Sequence, residues 1–580
     1  MEGEKDGQHD PSGAETSDSN PERTANESAA PKFNRSPRFW AIIATLCVIG
    51  ILSSLENTVV TTSLPFIVTE LNLGENYIWV TNVFFLTSAA VQPLFGQLAN
   101  IFGRRWITMA IVMLFTLGSA IAGGASNGAM LIAGRAIQGM GSGGINMIVD
   151  VIVSDLVPLR ERGNYMAFVL LVYFVGMALG PYVGGAIVET TTWRWVFYIN
   201  LPVGGVSMLM IYLFLHVKSN KEMPLAQKLR RIDYIGNILV IASTVAILYA
   251  LTYGGTRYPW SSWRIVLPLV LGLAGLGVFI FFETTKFVKE PVVPARLLAN
   301  RTSAVVLAVT FMNSALLFWM LFFVPVYFQA VLGSSPARAG VQLLPAIVIA
   351  VPAAIVAVLL LAKYGKYKPL HLFGFALNTL GLGLFSLLDQ GSTTVEWVIF
   401  ELIVAGGSGF VLNTLLPAFQ TPLEESDQAA ATAAWSFMRS FGNIWGVAIP
   451  AAIFNNYFDK LSSRISDPAV AALFLQGNAY QSTSAEFLNT FPPAIKQEII
   501  TVYADSLKYV WRLSVIFSGV SFLLVFLEKQ IKMRTELETE YGLAEENGKK
   551  KDSETGEKTE EAEQENGAAM VTEKPVEISP

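Results

Sequence analysis

Few of the residues on which chemistry is usually built are present in this chain. Its 580 residues include one cysteine and three histidines. A single cysteine, Cys47, excludes an intrachain disulfide, and His9, His216 and His371 are too scattered to form a metal cluster. Charge is scarce as well: 15% of the residues are Asp, Glu, Lys or Arg, against about 25% in soluble domains. The net charge of -5 includes no basic field, which argues against a nucleic-acid partner. No GxxxxGK[ST] phosphate loop occurs, so direct use of ATP is not expected. No nucleophile–base or metal constellation points to an enzyme, and no cofactor is expected.

Apolar length is what the chain has in abundance. It is 52% hydrophobic, with a mean hydropathy of +0.47. The pattern predicts an all-α membrane protein with about fourteen transmembrane helices. They fall near 39–65, 77–99, 106–124, 129–154, 164–187, 196–217, 234–253, 263–282, 304–332, 340–362, 369–388, 395–418, 430–454 and 508–529. An even number of crossings puts both termini on one side. The basic residues assign that side to the cytoplasm by the positive-inside rule. Breaks on it hold Arg104 and Arg105; Arg160 and Arg162; Lys218, Lys221, Lys228, Arg230 and Arg231; Lys286, Lys289, Arg296 and Arg301; Lys363, Lys366 and Lys368. Opposite breaks hold only Arg194, Arg257, Arg338 and a few others, while Glu424-Glu425-Ser426-Asp427 is an acidic exception on the cytoplasmic side.

Residues 1–37 and 531–580 are too polar to fold alone and are expected to be disordered. The first tail lacks the short apolar core and cleavage site of a signal peptide. A long external segment, about 455–507, separates the last two spans. The N-x-[ST] matches at Asn26, Asn34 and Asn300 fall on cytoplasmic segments and should stay unused.

Charges inside a bilayer are costly and usually face a cavity or a partner. Glu56 lies about nine residues before the outer end of the first span, and Arg135 about six after the outer end of the fourth, which runs the other way. At ~1.5 Å per residue they sit within about a turn of the same depth. They are expected to share one site, Glu56 taking up and releasing a proton while Arg135 tunes its affinity; the alternative is a static pair fixing register. Glu401 and Arg439 differ in depth by more than a turn and are left unpaired. Asp150 and Asp155 are expected to cap and to meet Arg160 or Arg162.

A further stretch, Gly176-Met-Ala-Leu-Gly180-Pro181-Tyr-Val-Gly184-Gly185, places Gly176, Gly180 and Gly184 on one helical face with Pro181 as a bend. It is expected to serve as a pivot between two packed halves. The plainer alternative is a small-residue packing face. There is also a faint internal repeat: basic turns follow span 2 (Leu98 to Arg105) and span 10 (Leu361 to Lys368), as in transporters with repeated halves.

GxxxGPxxGG resembles the fifth-helix antiporter motif of drug:proton exporters in the major facilitator superfamily. Gly96-Gln97-Leu98-Ala99-Asn100-Ile101-Phe102-Gly103-Arg104-Arg105 resembles that superfamily's signature between helices 2 and 3. Arg135-Ala-Ile-Gln138-Gly139-Met-Gly141 is similar to its helix 4 motif. Leu55 to Pro65 and Trp193 to Pro202 are similar to motifs of the fourteen-spanning branch. The chain looks most like fungal toxin and secondary-metabolite efflux pumps.

The resemblance implies a major facilitator fold: a six-helix bundle over 38–218, a linker with two inserted helices over 219–303, and a second six-helix bundle over 304–530. It implies a monomer in the plasma membrane, or alternatively the vacuolar membrane, that exports toxins or drugs by alternating access and a proton gradient. It places a cytoplasmic gate at Gly96, Asn100, Gly103, Arg104 and Arg105. Two departures stand out. Asn100 replaces the usual acid, which weakens the expected gate latch and leaves Arg104 and Arg105 to other partners; Glu56 replaces the usual Asp.

One proton suffices energetically. A charge crossing ~100 mV yields about 2.3 kcal/mol, a pH unit about 1.4, and a hundredfold substrate gradient costs about 2.7 kcal/mol. The substrate, a small amphipathic molecule, is expected to meet aromatic residues such as Trp319, Tyr327 and Trp435, with Gln138, Asn146, Glu401 and Arg439 as polar contacts. The alternatives are uptake or vacuolar transport of a nutrient, basic amino acid or iron chelate, and a non-transporting membrane sensor.

Overall fold

The computed structural model describes residues 36–533, apart from 72, 74–77, 160, 217–223, 256–257, 286–287, 289–290, 425–426 and 476–477. Most of the tails predicted to be disordered (1–35 and 534–580), Arg160 and several basic residues of the breaks (Lys218, Lys221, Lys286 and Lys289) lie outside the described residues, whereas 36–37 and 531–533 are described.

Helices build everything described; the one β feature is an isolated bridge between Gly254 and Tyr258. Helix α1 (Pro37–Glu70) starts on Ser36, whose side chain accepts from the Phe39 N–H, with Pro37 at its first position. The second predicted span is broken at Val91 into α2 (Ile78–Ala90) and α3 (Gln92–Phe102), with Pro93 near the start of α3. Gly103, at φ +89°, ends α3 and opens α4 (Arg104–Gly123), a conformation that a residue with a Cβ adopts only under strain. Asn127 caps α5 (Gly128–Leu156). Then come α6 (Arg162–Thr190), α7 (Arg194–Tyr198) and α8 (Asn200–Phe214).

The pair α9 (Tyr234–Tyr253) and α10 (Trp263–Glu283) follows, capped by Asp233 and Ser262. The second set is α11 (Arg301–Val326), continued by a π-turn over Tyr327–Val331, then α12 (Leu344–Tyr364), α13 (Lys368–Phe385), α14 (Thr394–Leu412), the short α15 (Leu415–Gln420), α16 (Gln428–Leu461) and α17 (Pro493–Phe526).

Eleven described helices are long and apolar enough to cross a membrane. The other three expected spans are the broken α2–α3 and the more polar α13 and α16. Packing sorts the helices into two bundles. In the first, α1 lies on α6, α5 and α8, and α4 and α2 lie on α5; in the second, α11 lies on α16, α14 on α12 and α13, and α17 on α13. The two bundles meet where α16 packs on α3 and α5 and where α12 packs on α6. The α9–α10 pair packs on itself and reaches both α2 and α16, burying Val240 and Ile247 with Phe437 and Phe441.

The segment between α16 and α17 forms a small cap whose aromatic residues continue the core of the second bundle. Phe458, Phe474 and Tyr503 are buried there, and the Tyr503 hydroxyl donates to the Ala479 carbonyl at 2.6 Å. Helix α17 therefore starts well before 508, at Pro493.

Candidate functional site: a sealed ion pair and a seam between bundles

Helices α1 and α5 bring Glu56 and Arg135 together. Arg135 Nη1 donates to Glu56 Oε1, and both side chains are shut away from solvent. The depth count placed them within a turn, and side-chain reach closes the rest. The other hydrogen bonds recorded for the site also come from the first bundle. Arg135 Nη1 also donates to Gln138 Oε1 at 2.7 Å, and Arg135 Nε to the Val80 carbonyl at 2.9 Å. Its guanidinium lies 4.2 Å over the Phe84 ring. On the other side, Asn200 Nδ2 donates to Glu56 Oε2 at 2.6 Å. Ser119 Oγ accepts from Gln138 Nε2 at 2.7 Å and from Asn200 at 3.3 Å. Asn200 and Ser119 were missed from sequence. Asn200 stood inside the Trp193–Pro202 stretch, where it served only as a marker of resemblance.

The glycine face of α6 packs against α1. A Cβ on Gly176 would collide with Ser54 Oγ, and one on Gly180 with Thr58 Oγ1. Thr58 Oγ1 donates to the Met177 carbonyl at 2.9 Å, possible only because the backbones approach closely. This seam lies inside the first bundle, which corrects the expected pivot between halves. The side chains of Pro181 and Gly185 lie outside those described, and Gly184 is buried.

The turn between α3 and α4 holds the expected gate residues. Arg104 is buried; its Nε pairs with Asp155 Oδ2 at 2.7 Å and its Nη1 donates to the Ala99 carbonyl. Arg105 Nη2 donates to the Tyr212 carbonyl at 2.6 Å. With Asn100 uncharged, Asp155 is an acid that pairs with buried Arg104; of the partners expected for Asp155, Arg160 lies outside the described residues. Gly96 faces the second bundle, where a Cβ would strike the Ala433 Cβ.

Contacts across the seam run from mid-span toward the Arg104 end. Gln92 Nε2 donates to Ser440 Oγ at 2.9 Å. Arg162 Nη1 donates to Gln420 Oε1 at 2.8 Å and to Gln428 Oε1 at 2.6 Å. Gln420 reaches Ser154 Oγ at 3.3 Å. Asp150 pairs with Arg439 of α16 at 3.2 Å, and Arg439 lies over the Trp435 ring at 4.6 Å. The partner expected for Asp150 was Arg160 or Arg162; the structure supplies one from the other bundle. Ser142, Asn146, Asp150 and Ser154 form one slowly turning stripe on α5. Its members meet Ser53, which bonds Ser142 at 2.7 Å and Asn146 at 3.4 Å, and then the second bundle.

Other expected substrate contacts lie elsewhere. Trp319 is buried inside the second bundle against Phe517, and the Tyr327 hydroxyl donates to the Asp389 carbonyl, so both are core residues. Gln138 belongs to the sealed pair. Glu401 is fully buried on α14, near the Ala346 backbone.

Two bundles of apolar helices, an inserted pair between them and a seam closed at one end define a secondary transporter of the repeated-half type. Residues 46–447 match the Major Facilitator Superfamily, and the chain belongs to that superfamily as a multi-pass membrane protein. It is 53% identical over 509 residues to the MFS-type transporter TwmF of Talaromyces wortmannii, covering 87% of this chain and 93% of that protein. Identity to the MFS-type efflux transporter ffsH of Aspergillus flavipes is 45% over 543 residues, covering 93% of each. For the MFS efflux transporter aclA of Aspergillus oryzae it is 44% over 526 residues, covering 91% of this chain and 94% of the relative. Among solved structures, the human organic anion transporter MFSD10 superposes with a TM-score of 0.52 at 13% identity, covering 85% of this chain and 100% of that one, which speaks to fold alone.

Proposed function

We propose that this protein is a proton-coupled exporter of amphipathic small molecules, working as a monomer by alternating access between its two bundles. The observation that carries this reading is the sealed Glu56–Arg135–Asn200 cluster. An ionisable carboxyl is held at membrane depth by a cation and an amide, with no solvent contact in this conformation. Protonation of Glu56 cancels the ion pair and frees a guanidinium donor, and deprotonation restores it. The proton-motive force thereby acts on the packing of α1 against α5. Relatives named efflux transporters favour export over uptake.

In this reading all fourteen segments cross the bilayer. The Arg104 end faces the cytoplasm with both termini, and the protein resides in the plasma membrane. The closed seam at the Arg104 end is then the outward-facing state, held by Asp150–Arg439 and by the contacts of Arg162 with Gln420 and Gln428. The test is transport in proteoliposomes under an imposed pH gradient. Accumulation of a hydrophobic toxin that collapses with the gradient supports the reading, and accumulation indifferent to the gradient overturns it.

A further inference from the structure

Of the two cations on the seam, Arg162 is spent: it is 1% exposed and donates to Gln420, Gln428 and the Val157 carbonyl. Arg439 is not. Among the described residues its one hydrogen bond is to Asp150 Oδ2, at 3.2 Å, long for a charge-assisted bond, which usually spans about 2.7–2.9 Å. A guanidinium carries five N–H donors, so most of its capacity is unused. Its side chain keeps 25% of its exposure and that of Asp150 12%, so the pair is reachable from the seam.

The neighbour is aromatic and carries an unused donor. Trp435, one turn away on the same helical face, lies beneath the guanidinium, whereas Phe437 and Phe441 stack on the opposite face against α9. Among the described residues the buried indole N–H of Trp435 has no acceptor. A cation with spare donors, beside an unsatisfied N–H and a flat indole face, is complementary to an acidic group on a flat apolar body.

Asp150 and Arg439 also sit on different bundles. When the bundles part at the Arg104 end the carboxylate is withdrawn and the guanidinium is left for another anion. When they close, Asp150 returns to it.

We infer that Arg439 is the binding point for the acidic group of an amphipathic organic anion, and that Asp150 is a built-in rival which occupies Arg439 as the seam closes and drives the anion off. This deepens the exporter reading and rests on it for the direction of movement.

The test uses the full chain in phosphatidylcholine nanodiscs, with pyrenebutyric acid and its methyl ester as probes. Binding is read by tryptophan-to-pyrene energy transfer and corrected with empty discs. The wild type should prefer the acid. Asp150→Asn should tighten acid binding by about tenfold, and Arg439→Gln should erase the preference, since a charge-assisted bond is gained or lost. Ester binding should be the same in all three, which also reports that each variant is folded. Arg439→Lys should retain part of the preference. Equal binding of acid and ester by the wild type, no tightening in Asp150→Asn, or a preference surviving Arg439→Gln overturns the proposal. So does displacement of the acid by phosphatidylserine, which would make this a lipid site. Gradient-driven movement of the ester without preference for the acid removes this inference and leaves the exporter reading standing. Acid-selective binding without gradient-driven transport does the reverse.

Discussion

Glu56→Gln keeps the size of the side chain and one of its two oxygen acceptors, which can still serve Arg135 while an NH2 replaces the oxygen that accepts from Asn200; it removes one negative charge together with the proton that charge can take up. Arg135 then remains 1% exposed, with only neutral partners in Val80, Gln138 and the Phe84 ring. Stripping one partner from a buried pair costs about 3–5 kcal/mol. The amide carbonyl returns about 1 kcal/mol as a hydrogen bond to the guanidinium. The net loss should therefore be about 2–4 kcal/mol, read as a lower unfolding midpoint in lipid nanodiscs. The double variant Glu56→Gln/Arg135→Gln removes both charges and should recover much of it, because the desolvation cost goes with them. In proteoliposomes the single variant should lose accumulation driven by a pH gradient and keep exchange of substrate down its own gradient. Accumulation that still scales with the imposed gradient would refute the role given to Glu56. A midpoint equal to wild type would refute the burial argument.

Other substitutions probe the seams one at a time. With Cys47→Ser as background, Gln92→Cys and Ser440→Cys replace side chains hydrogen-bonded across the bundles; joining them with a short bismaleimide should abolish transport, and full activity after linkage would exclude opening at this level. Asp155→Asn removes the counter-charge of buried Arg104 and should lower stability by about 3 kcal/mol in a denaturant titration. Gly180→Ala forces a methyl onto Thr58 and should cost about 1–3 kcal/mol, with Thr58→Ala restoring most of it in a thermal-shift comparison. Tyr367→Phe removes the hydroxyl that donates to the Lys529 carbonyl and should cost about 1 kcal/mol, seen as faster proteolysis after α17.

The sequence made some of this legible and hid the rest for identifiable reasons. Span positions follow from apolar length, and the Glu56–Arg135 pairing follows from depth, because antiparallel neighbours of known register compare directly. Depth says nothing about rotation. Helix α11 is apolar all round, so no phase could be read, and Trp319 points into the second bundle rather than toward the seam. Asp150 was matched to basic residues near it in sequence, whereas its partner Arg439 comes from a helix almost 300 residues away. Cross-bundle contacts depend on how two rigid units are turned against each other, which no local pattern encodes. The glycine face was legible as a close approach; its partner, α1, was not.

That partner changes what the glycine face means. Ser54 and Thr58 lie on the side of α1 that meets Gly176 and Gly180, and Glu56, two residues from each, points about 200° away toward α5. Rocking the bundles as rigid bodies would break Asp150–Arg439, Gln92–Ser440 and the contacts of Arg162 with Gln420 and Gln428, since each crosses the seam. It leaves Glu56, Arg135, Gln138 and Asn200 untouched, since all four belong to the first bundle. Gate and acid therefore sit on different seams, and opening one does not by itself expose the other. In the proposed reading, a proton would reach Glu56 when α1 shifts against α5. The smooth face of α6 is the surface over which α1 can shift without lifting side chains past one another. Gly180→Ala roughens that surface, so it should slow proton-coupled movement more than it slows seam opening measured by cross-linking between positions 92 and 440.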